Sequence, residues 1–260
     1  MLRKLKQLLL GEALPCYIIS REPAIIISYW HDFFEQMHDC VACLPTGKPV
    51  YILAMLGWHR ETEARVDELV ENVNKLKALA PHVNPIFLAN SPNEESLLKA
   101  QNIETVLCHQ NAFLDEKRYK IIPGVHKLYD AIYIARITPF KRHELAAAIP
   151  SLRLIGTWHD FEQDHYDKIM NMLPQADWKY RVTSRLIYRE INAARTGLCL
   201  SEEEGAMFVS AEYLLCGIPI VNTHNLGGRD EMFTQPYALT VEPTADAVAE
   251  GVKQQIAANY

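Results

Sequence analysis

No stretch of this sequence stays apolar for the ~18 residues that a membrane span requires. No H-E-x-x-H occurs, and no second C-x-x-C completes the zinc site that Cys40 and Cys43 would begin. Positive charge is also short: 26 Lys and Arg stand against 32 Asp and Glu, a formal charge of -6. That balance argues against a surface built mainly to hold nucleic acid and leaves room only for a local basic cleft. The six cysteines are scattered, several of them inside apolar runs such as T-V-L-C and G-L-C-L. They suit reduced, buried thiols of a cytoplasmic protein rather than a disulfide frame. Cys40 and Cys43, with His38 before them, lack the strand-to-helix setting of a redox dithiol. The opening M-L-R-K-L-K-Q-L-L-L carries no signal-peptide cleavage pattern. It reads as a helix packed on its domain, with a peripheral membrane contact as the alternative.

What is present is alternation. Apolar runs predict strands at 24–28, 50–56, 84–89 and 104–108 in the first half. In the second half they fall at 131–135, 152–155, 179–182, 197–200, 218–222 and 238–241. Helix-length segments fill the gaps; in 61–79, Val66, Leu69, Val70, Val73 and Leu76 repeat at helical spacing. Such β-α-β alternation predicts parallel sheets covered on both faces. It pauses once, at the charged D-E-K-R-Y-K-I-I-P-G-V-H-K-L-Y, which reads as a linker. The expected architecture is therefore α/β, with two Rossmann-like doubly wound domains, 1–128 and 129–260, facing a cleft that would hold the ligand.

Three of the four tryptophans are followed by histidine just past a predicted strand, at Trp30-His31, Trp58-His59 and Trp158-His159. The first and third continue into the same tetrapeptide, Trp-His-Asp-Phe. Ligands of open parallel sheets bind outside the carboxyl ends of the strands, which makes His31, His59 and, after T-V-L-C, His109 candidates for lining a first-domain cleft. The plain alternative is that each Trp packs under its loop while Asp caps the next helix. None of these histidines has metal-ligand spacing.

The most unusual stretch is S-E-E-E-G-A-M-F-V-S-A-E-Y-L-L-C-G-I-P-I-V-N-T, residues 201–223. Glu202 and Glu203 read as charge complementing a helix N-terminus. Glu204 and Glu212, eight positions apart, fall on similar meridians of one helix, about 12 Å apart along its axis. That span is comparable to an extended sugar-nucleotide fragment.

The E-x7-E pattern, with glycine after the first glutamate and C-G-I-P-I-V after the second, resembles the retaining glycosyltransferases of the GT-B fold, in particular family 4. Y-I-A-R-I-T-P-F-K-R-H-E-L at 133–145 is similar to that family's G-R-x-x-P-x-K-G segment, with Arg136 and Lys141 on the matching positions. Leu154-Ile155-Gly156 resembles its following strand end, and N-L-G-G-R-D-E at 225–231 its G-G-x-x-E loop. The likeness covers about residues 131–245. The first domain lacks the family's glycine-rich turn, and Ser28-Tyr29-Trp30-His31 stands at the comparable strand end.

The resemblance implies an enzyme that moves a sugar from a nucleotide sugar, such as a UDP- or GDP-sugar, to a glycan or other hydroxyl acceptor with retention. It implies no cofactor and no metal, in keeping with the lack of any D-x-D. Arg136 and Lys141 would neutralise the departing diphosphate together with the N–H groups of Gly205, Ala206 and Met207. Glu204 would hold donor-sugar hydroxyls and Glu212 the ribose. No general base is implied, since the leaving phosphate can take the acceptor proton. Alternatives on the same architecture are a sugar-nucleotide epimerase or hydrolase, a nucleic-acid glycosylating enzyme with a basic first-domain cleft, and a binding protein without turnover.

Overall fold

A parallel strand covered on both faces needs an unbroken apolar run, and the runs in this sequence form two sheets. The structure, a computed structural model, describes residues 14–258, which divide into a unit ending at Gln110 and another beginning at Asn111. The opening M-L-R-K-L-K-Q-L-L-L lies outside the described residues.

In the first unit, β1 (Tyr17–Arg21), β2 (Ala24–Tyr29), β3 (Val50–Met55), β4 (Val83–Ala89) and β5 (Thr105–Leu107) lie side by side in chain order. β2 to β5 are parallel, whereas β1 returns antiparallel along β2. β1 was not expected, and its physical character explains why: at the sheet edge Tyr17, Ile18 and Ile19 are exposed, so it shows none of the burial alternation of β2 and β3. The Glu63–Leu79 helix buries Val66, Leu69, Val73 and Leu76, as their spacing predicts. Trp30 is a core residue, edge-on to Phe87 with ring centroids 4.8 Å apart. Its Asp32 does not cap the helix that follows, which has no side-chain cap. All six cysteines are free; Cys40 is buried with its Sγ 3.8 Å from that of Cys16.

The second unit carries β6 (Tyr129–Ile134), β7 (Leu152–Gly156), β8 (Asp177–Tyr180), β9 (Ala194–Cys199), β10 (Ile220–Thr223) and β11 (Ala238–Val241). All are parallel, in the order β11-β10-β9-β6-β7-β8. Counted from β8, this is the 3-2-1-4-5-6 order of dinucleotide folds, whose direction reverses between β6 and β9. Period-2 alternation divides each central strand between two cores. Ala131, Tyr133, Leu152, Leu154 and Leu198 pack with Ile169 and Val248 on one face. Ile132, Ile155 and Cys199 pack with Ile187, Ile191 and Tyr213 on the other. Each fully buried aliphatic side chain contributes roughly 1.5–3 kcal/mol, so the two faces stabilise the sheet independently. Gly197 is required by the second face, because a Cβ there would lie 2.3 Å from the Tyr213 ring.

The expected boundary at residue 128 moves to 110. The charged stretch around Pro123-Gly124 is no free linker but is fastened to the second unit. Asn192 accepts from the backbone N–H of Ile122 at 2.8 Å and donates to the carbonyl of Lys120 at 3.0 Å. The Lys127 ammonium donates to the carbonyls of Asn192 and Ala194, each at 2.8 Å. Among the described residues no helix is long and apolar enough to cross a membrane.

Candidate functional site

At the carboxyl ends of β6 and β9, where the strand order reverses, the sheet opens a crevice that no helix can fill. β6 continues into Arg136 and then a tight turn, Pro139–Lys141, held by the Tyr133 hydroxyl donating to the carbonyl of Lys141 at 2.6 Å. β9 continues into Ser201 and Glu204. The Lys141 ammonium and the Ser201 hydroxyl both donate to Glu204 Oε1, the latter at 2.8 Å. Lys141 and Glu204 are largely buried, with side-chain exposures of 13% and 8%. Burial, and then the positive charges of Arg229 and Arg136, bring the Lys141 ammonium down to about 8. The carboxylate it touches opposes that fall.

The stretch 202–204 is not the start of a helix. Glu202 N–H donates to the carbonyl of Phe140 at 2.8 Å, Leu226 N–H to that of Glu202 at 2.9 Å, and Glu204 N–H to that of Leu226 at 3.0 Å. It is an extended rung paired with residue 226, and the helix begins only at Phe208. Charge complementing a helix terminus is therefore not the job of Glu202 or Glu203, and the helical rise that placed Glu204 and Glu212 about 12 Å apart does not apply. Gly205 and Ala206 are buried in the intervening loop, where Asn111 Nδ2 donates to the carbonyl of Ala206 at 3.1 Å. Met207 turns the chain into the helix in the left-handed region, at φ 48°.

Two arginines that the sequence reading did not single out hold these loops. Arg142 stands where the resembling segment has glycine, in the left-handed conformation with φ 49°. Its side chain explains why a residue other than glycine is kept: Nε donates to the carbonyl of Leu200 at 2.7 Å and Nη2 to Thr223 Oγ1 at 2.8 Å. Arg229, delivered by the Gly227-Gly228 turn, has no exposed surface. It donates Nη1 to the carbonyl of Ser201 at 3.0 Å, Nη2 to that of Thr223, and Nε to Asp230 Oδ1 at 2.6 Å. The arginine in place of glycine at 142 was the available signal; nothing in N-L-G-G-R-D-E distinguishes a buried arginine from a solvated one.

Beside this network lies a cavity of about 340 Å³, at the small end for ligand sites. Tyr119, Ala135, Arg136, Gly156, Arg181 and Glu212 contribute to its wall. Glycine is needed at 156 because a Cβ would meet the carbonyl oxygen of Ala135 at 2.0 Å. Arg181, on the cavity wall, too is left-handed, with φ 49°, as are Arg142 and Met207 on the loops that follow β6 and β9. Strained backbone of this kind, costing of order 1–3 kcal/mol each, gathers at ligand sites. The Arg136 guanidinium reaches His159 Nε2 at 3.1 Å and Glu162 Oε2 at 4.0 Å. Glu162 in turn accepts from the His159 backbone N–H at 3.0 Å, so glutamate rather than Asp160 caps this turn. Burial raises the Glu212 pKa, and the neighbouring Tyr119 hydroxyl and Arg118 oppose that rise.

The three candidate histidines, His31, His59 and His109, belong to the first unit. His31 is exposed and pairs with Glu35 at 3.2 Å. His59 has no accessible surface; it accepts from the backbone N–H of Glu61 at 3.3 Å and contacts Arg65. It therefore packs rather than lines a surface. His109 is half-buried between β5 and the turn Gln110–Phe113.

No family model and no curated relative matches the sequence. Solved structures do match. HepE from Anabaena, in complex with UDP and glucose, superposes with a TM-score of 0.63 at 16% identity, over 80% of this chain and 64% of that one. Sucrose-phosphate synthase from Thermosynechococcus elongatus gives 0.67 at 16% identity, over 90% of this chain and 64% of that one. TarM gives 0.63 at 14% identity, over 89% and 48%. The chain thus spans between about half and two-thirds of the length of these proteins. What the likeness establishes is the fold class: α/β, of the GT-B kind, with two parallel-sheet units.

Proposed function

We propose that the protein is a glycosyltransferase of the retaining, metal-independent, family-4 kind, which moves a sugar from a UDP- or GDP-sugar to a glycan hydroxyl. The observation that carries the reading is that Arg136 and Glu212 share one cavity beside the buried Lys141–Glu204 pair, at the reversal of strand order. A nucleotide sugar needs that combination: a carboxylate for the ribose diol, cations for the diphosphate and a carboxylate for sugar hydroxyls. The UDP and glucose held by HepE, a protein of the same fold, support a uridine donor.

In this reaction the bond from the anomeric carbon to the diphosphate oxygen breaks, and charge grows on the leaving phosphate. Arg136 and Lys141 stabilise that charge without reorganising, as do the backbone N–H groups of Gly205, Ala206 and Met207. Groups of this sort are worth ~10²–10³ in rate apiece. Glu204, fixed by Lys141 and Ser201, orients the sugar. The acceptor hydroxyl attacks the same face, and its proton passes to the departing phosphate oxygen. The acceptor binds on the first unit, where His31 and His109 remain the candidates with accessible surface. The six free thiols agree with a cytoplasmic setting.

The test is a panel of UDP-, GDP-, ADP- and dTDP-sugars, read by thermal shift and by release of free nucleotide. Stabilisation with release onto an acceptor supports the reading. Stabilisation by no donor sinks it, and conversion to an isomeric sugar nucleotide would assign an epimerase instead.

A further inference from the structure

The two cysteines of the C-x-x-C face different surroundings. Cys40 is buried, with 1% of its surface exposed, while Cys43 ends the Met37–Cys43 helix in solvent. The sulfur that Cys40 meets lies 24 residues earlier in the chain: Cys16 Sγ stands 3.8 Å from Cys40 Sγ. Cys16 is the residue before β1, and the chain around it is held. The Ser28 hydroxyl donates to the carbonyl of Pro15, and β1 pairs with β2 from Tyr17 onward. Leu14 and Cys16 pack against the core cluster that contains Cys40. The two thiols therefore connect the entry of an edge strand to a helix. Both line a cavity of about 440 Å³, with Ile18, Ile26, Leu44 and Val50 among its other walls.

We propose that Cys16 and Cys40 are a redox pair, which peroxide converts into a disulfide that staples the entry of β1 to the Met37–Cys43 helix. The Cys16 thiolate attacks one oxygen of hydrogen peroxide. The O–O bond breaks, hydroxide leaves and takes up the thiol proton as water, and Cys16 becomes a sulfenic acid. The Cys40 sulfur then attacks the Cys16 sulfur; the S–O bond breaks, and the hydroxyl departs with the Cys40 proton as a second water. The two sulfurs lose the two electrons that the peroxide gains. Exposure and ionisation set the order of attack. Cys16 is half-buried and within reach of a small oxidant, whereas Cys40 is shielded until a sulfenic acid forms beside it. Contact with Cys40 holds the Cys16 thiol below its ordinary pKa although burial opposes this, and the same contact, with burial, pushes Cys40 up. The sulfurs have to close from 3.8 Å to about 2.05 Å, a movement within the range of side-chain rotation. All six thiols are free in the resting form, as a transient, redox-sensing disulfide requires.

Limiting hydrogen peroxide added to the full chain in its folded state, followed by tryptic mapping without reductant, reads the pairing. Cleavage after Arg21 separates Cys16 from Cys40 and Cys43, which share one peptide. The expected product joins the two peptides with the loss of two hydrogens, and dithiothreitol reverses it. Fragmentation between Cys40 and Cys43 assigns the linked sulfur on the wild-type protein itself, so the result does not depend on a variant folding. The link should persist in Cys43→Ser and vanish in Cys16→Ser and Cys40→Ser. The stapled protein is expected to melt roughly 5–10 °C above the reduced form, since a bond across 24 residues removes freedom from the unfolded chain. A bond between Cys40 and Cys43, or a cross-link that survives Cys40→Ser, overturns the assignment. So does a link that forms only in urea, or oxidation of the thiols singly with no link at all. A stapled protein that melts at or below the reduced form overturns it too, because the native geometry then has to break to make the bond.

Discussion

Arg229 donates to the carbonyl of Ser201 at 3.0 Å from a position with no exposed surface, and so ties the loop after β10 to the loop that carries Glu204. The same side chain reaches the carbonyl of Thr223 and the carboxylate of Asp230. Removing the guanidinium leaves the buried carbonyls of Ser201 and Thr223 without their donor, each at about 1–3 kcal/mol, whereas Asp230 keeps access to water. Arg229→Met is therefore expected to lower stability by roughly 2–4 kcal/mol. Urea unfolding monitored by circular dichroism checks this, and a midpoint equal to wild type would show that the network carries no structural load.

Lys141 gives the proposed reaction its pH dependence. Its ammonium, brought down to about 8 by burial and by Arg229 and Arg136, is charged below that pH and neutral above it. Diphosphate affinity is accordingly expected to be greatest below about 8 and to fall as pH rises through it. For stability the sign is opposite. Between about 8 and the ordinary lysine value the unfolded chain holds the proton and the native chain does not, so the native state gains stability relative to the unfolded as pH climbs through that window. Donor titrations from pH 6 to 10 read the first effect. Lys141→Ala should abolish the break and, like Glu212→Ala, cripple turnover while leaving the protein folded; wild-type rates in both variants would refute the donor site.

The strands were legible because they are largely apolar, alternately buried and half-buried in Ala24–Tyr29 and Val50–Met55 and buried on both faces in Leu152–Gly156 and Ile220–Thr223. β1 was not, because an edge strand with Tyr17, Ile18 and Ile19 in solvent satisfies no burial pattern. Pro123-Gly124 correctly marked a break in regular structure, but whether a break is a linker depends on what holds it, and the clamp by Asn192 is seventy residues distant in the chain. Arg136, Lys141, Glu204 and Glu212 were singled out by the family resemblance, and the structure places Lys141 against Glu204 and puts Arg136 and Glu212 on one cavity wall. The conformation of 201–207 could not, since the left-handed turn falls on Met207, a residue type that gives no warning of it, and the extended rung depends on Leu226 from another strand end.

Gly156 offers a test of the cavity wall that touches no charged group. An added Cβ would lie 2.0 Å from the carbonyl oxygen of Ala135, a backbone atom that cannot swing aside. Gly156→Ala must then push β7 from β6 just where both end. Overpacking of this kind costs about 1–3 kcal/mol, and for a protein of this size each kcal/mol lowers the melting temperature by roughly 2–4 °C. Donor affinity is expected to fall together with stability. Full donor affinity in a folded Gly156→Ala variant would place the ligand elsewhere.

His159 acts on the proposed chemistry through Arg136. The guanidinium is 44% exposed, and on its long side chain it would sample many orientations were it not restrained by His159 Nε2 at 3.1 Å and Glu162 Oε2 at 4.0 Å. Contacts as exposed as these contribute at most about 1 kcal/mol to folding, so His159→Ala should leave the melting temperature nearly unchanged. Its effect belongs to binding: each freed side chain must be ordered again when the diphosphate arrives, at roughly 0.5–1.5 kcal/mol. Donor affinity is therefore expected to weaken about two- to tenfold, and His159→Gln, whose amide oxygen can accept from Arg136, should recover part of the loss. If the two variants bind donor as tightly as wild type, Arg136 is positioned by the diphosphate alone, and the second Trp-His-Asp-Phe tetrapeptide serves packing, with Trp158 stacked on Tyr166 at 3.8 Å.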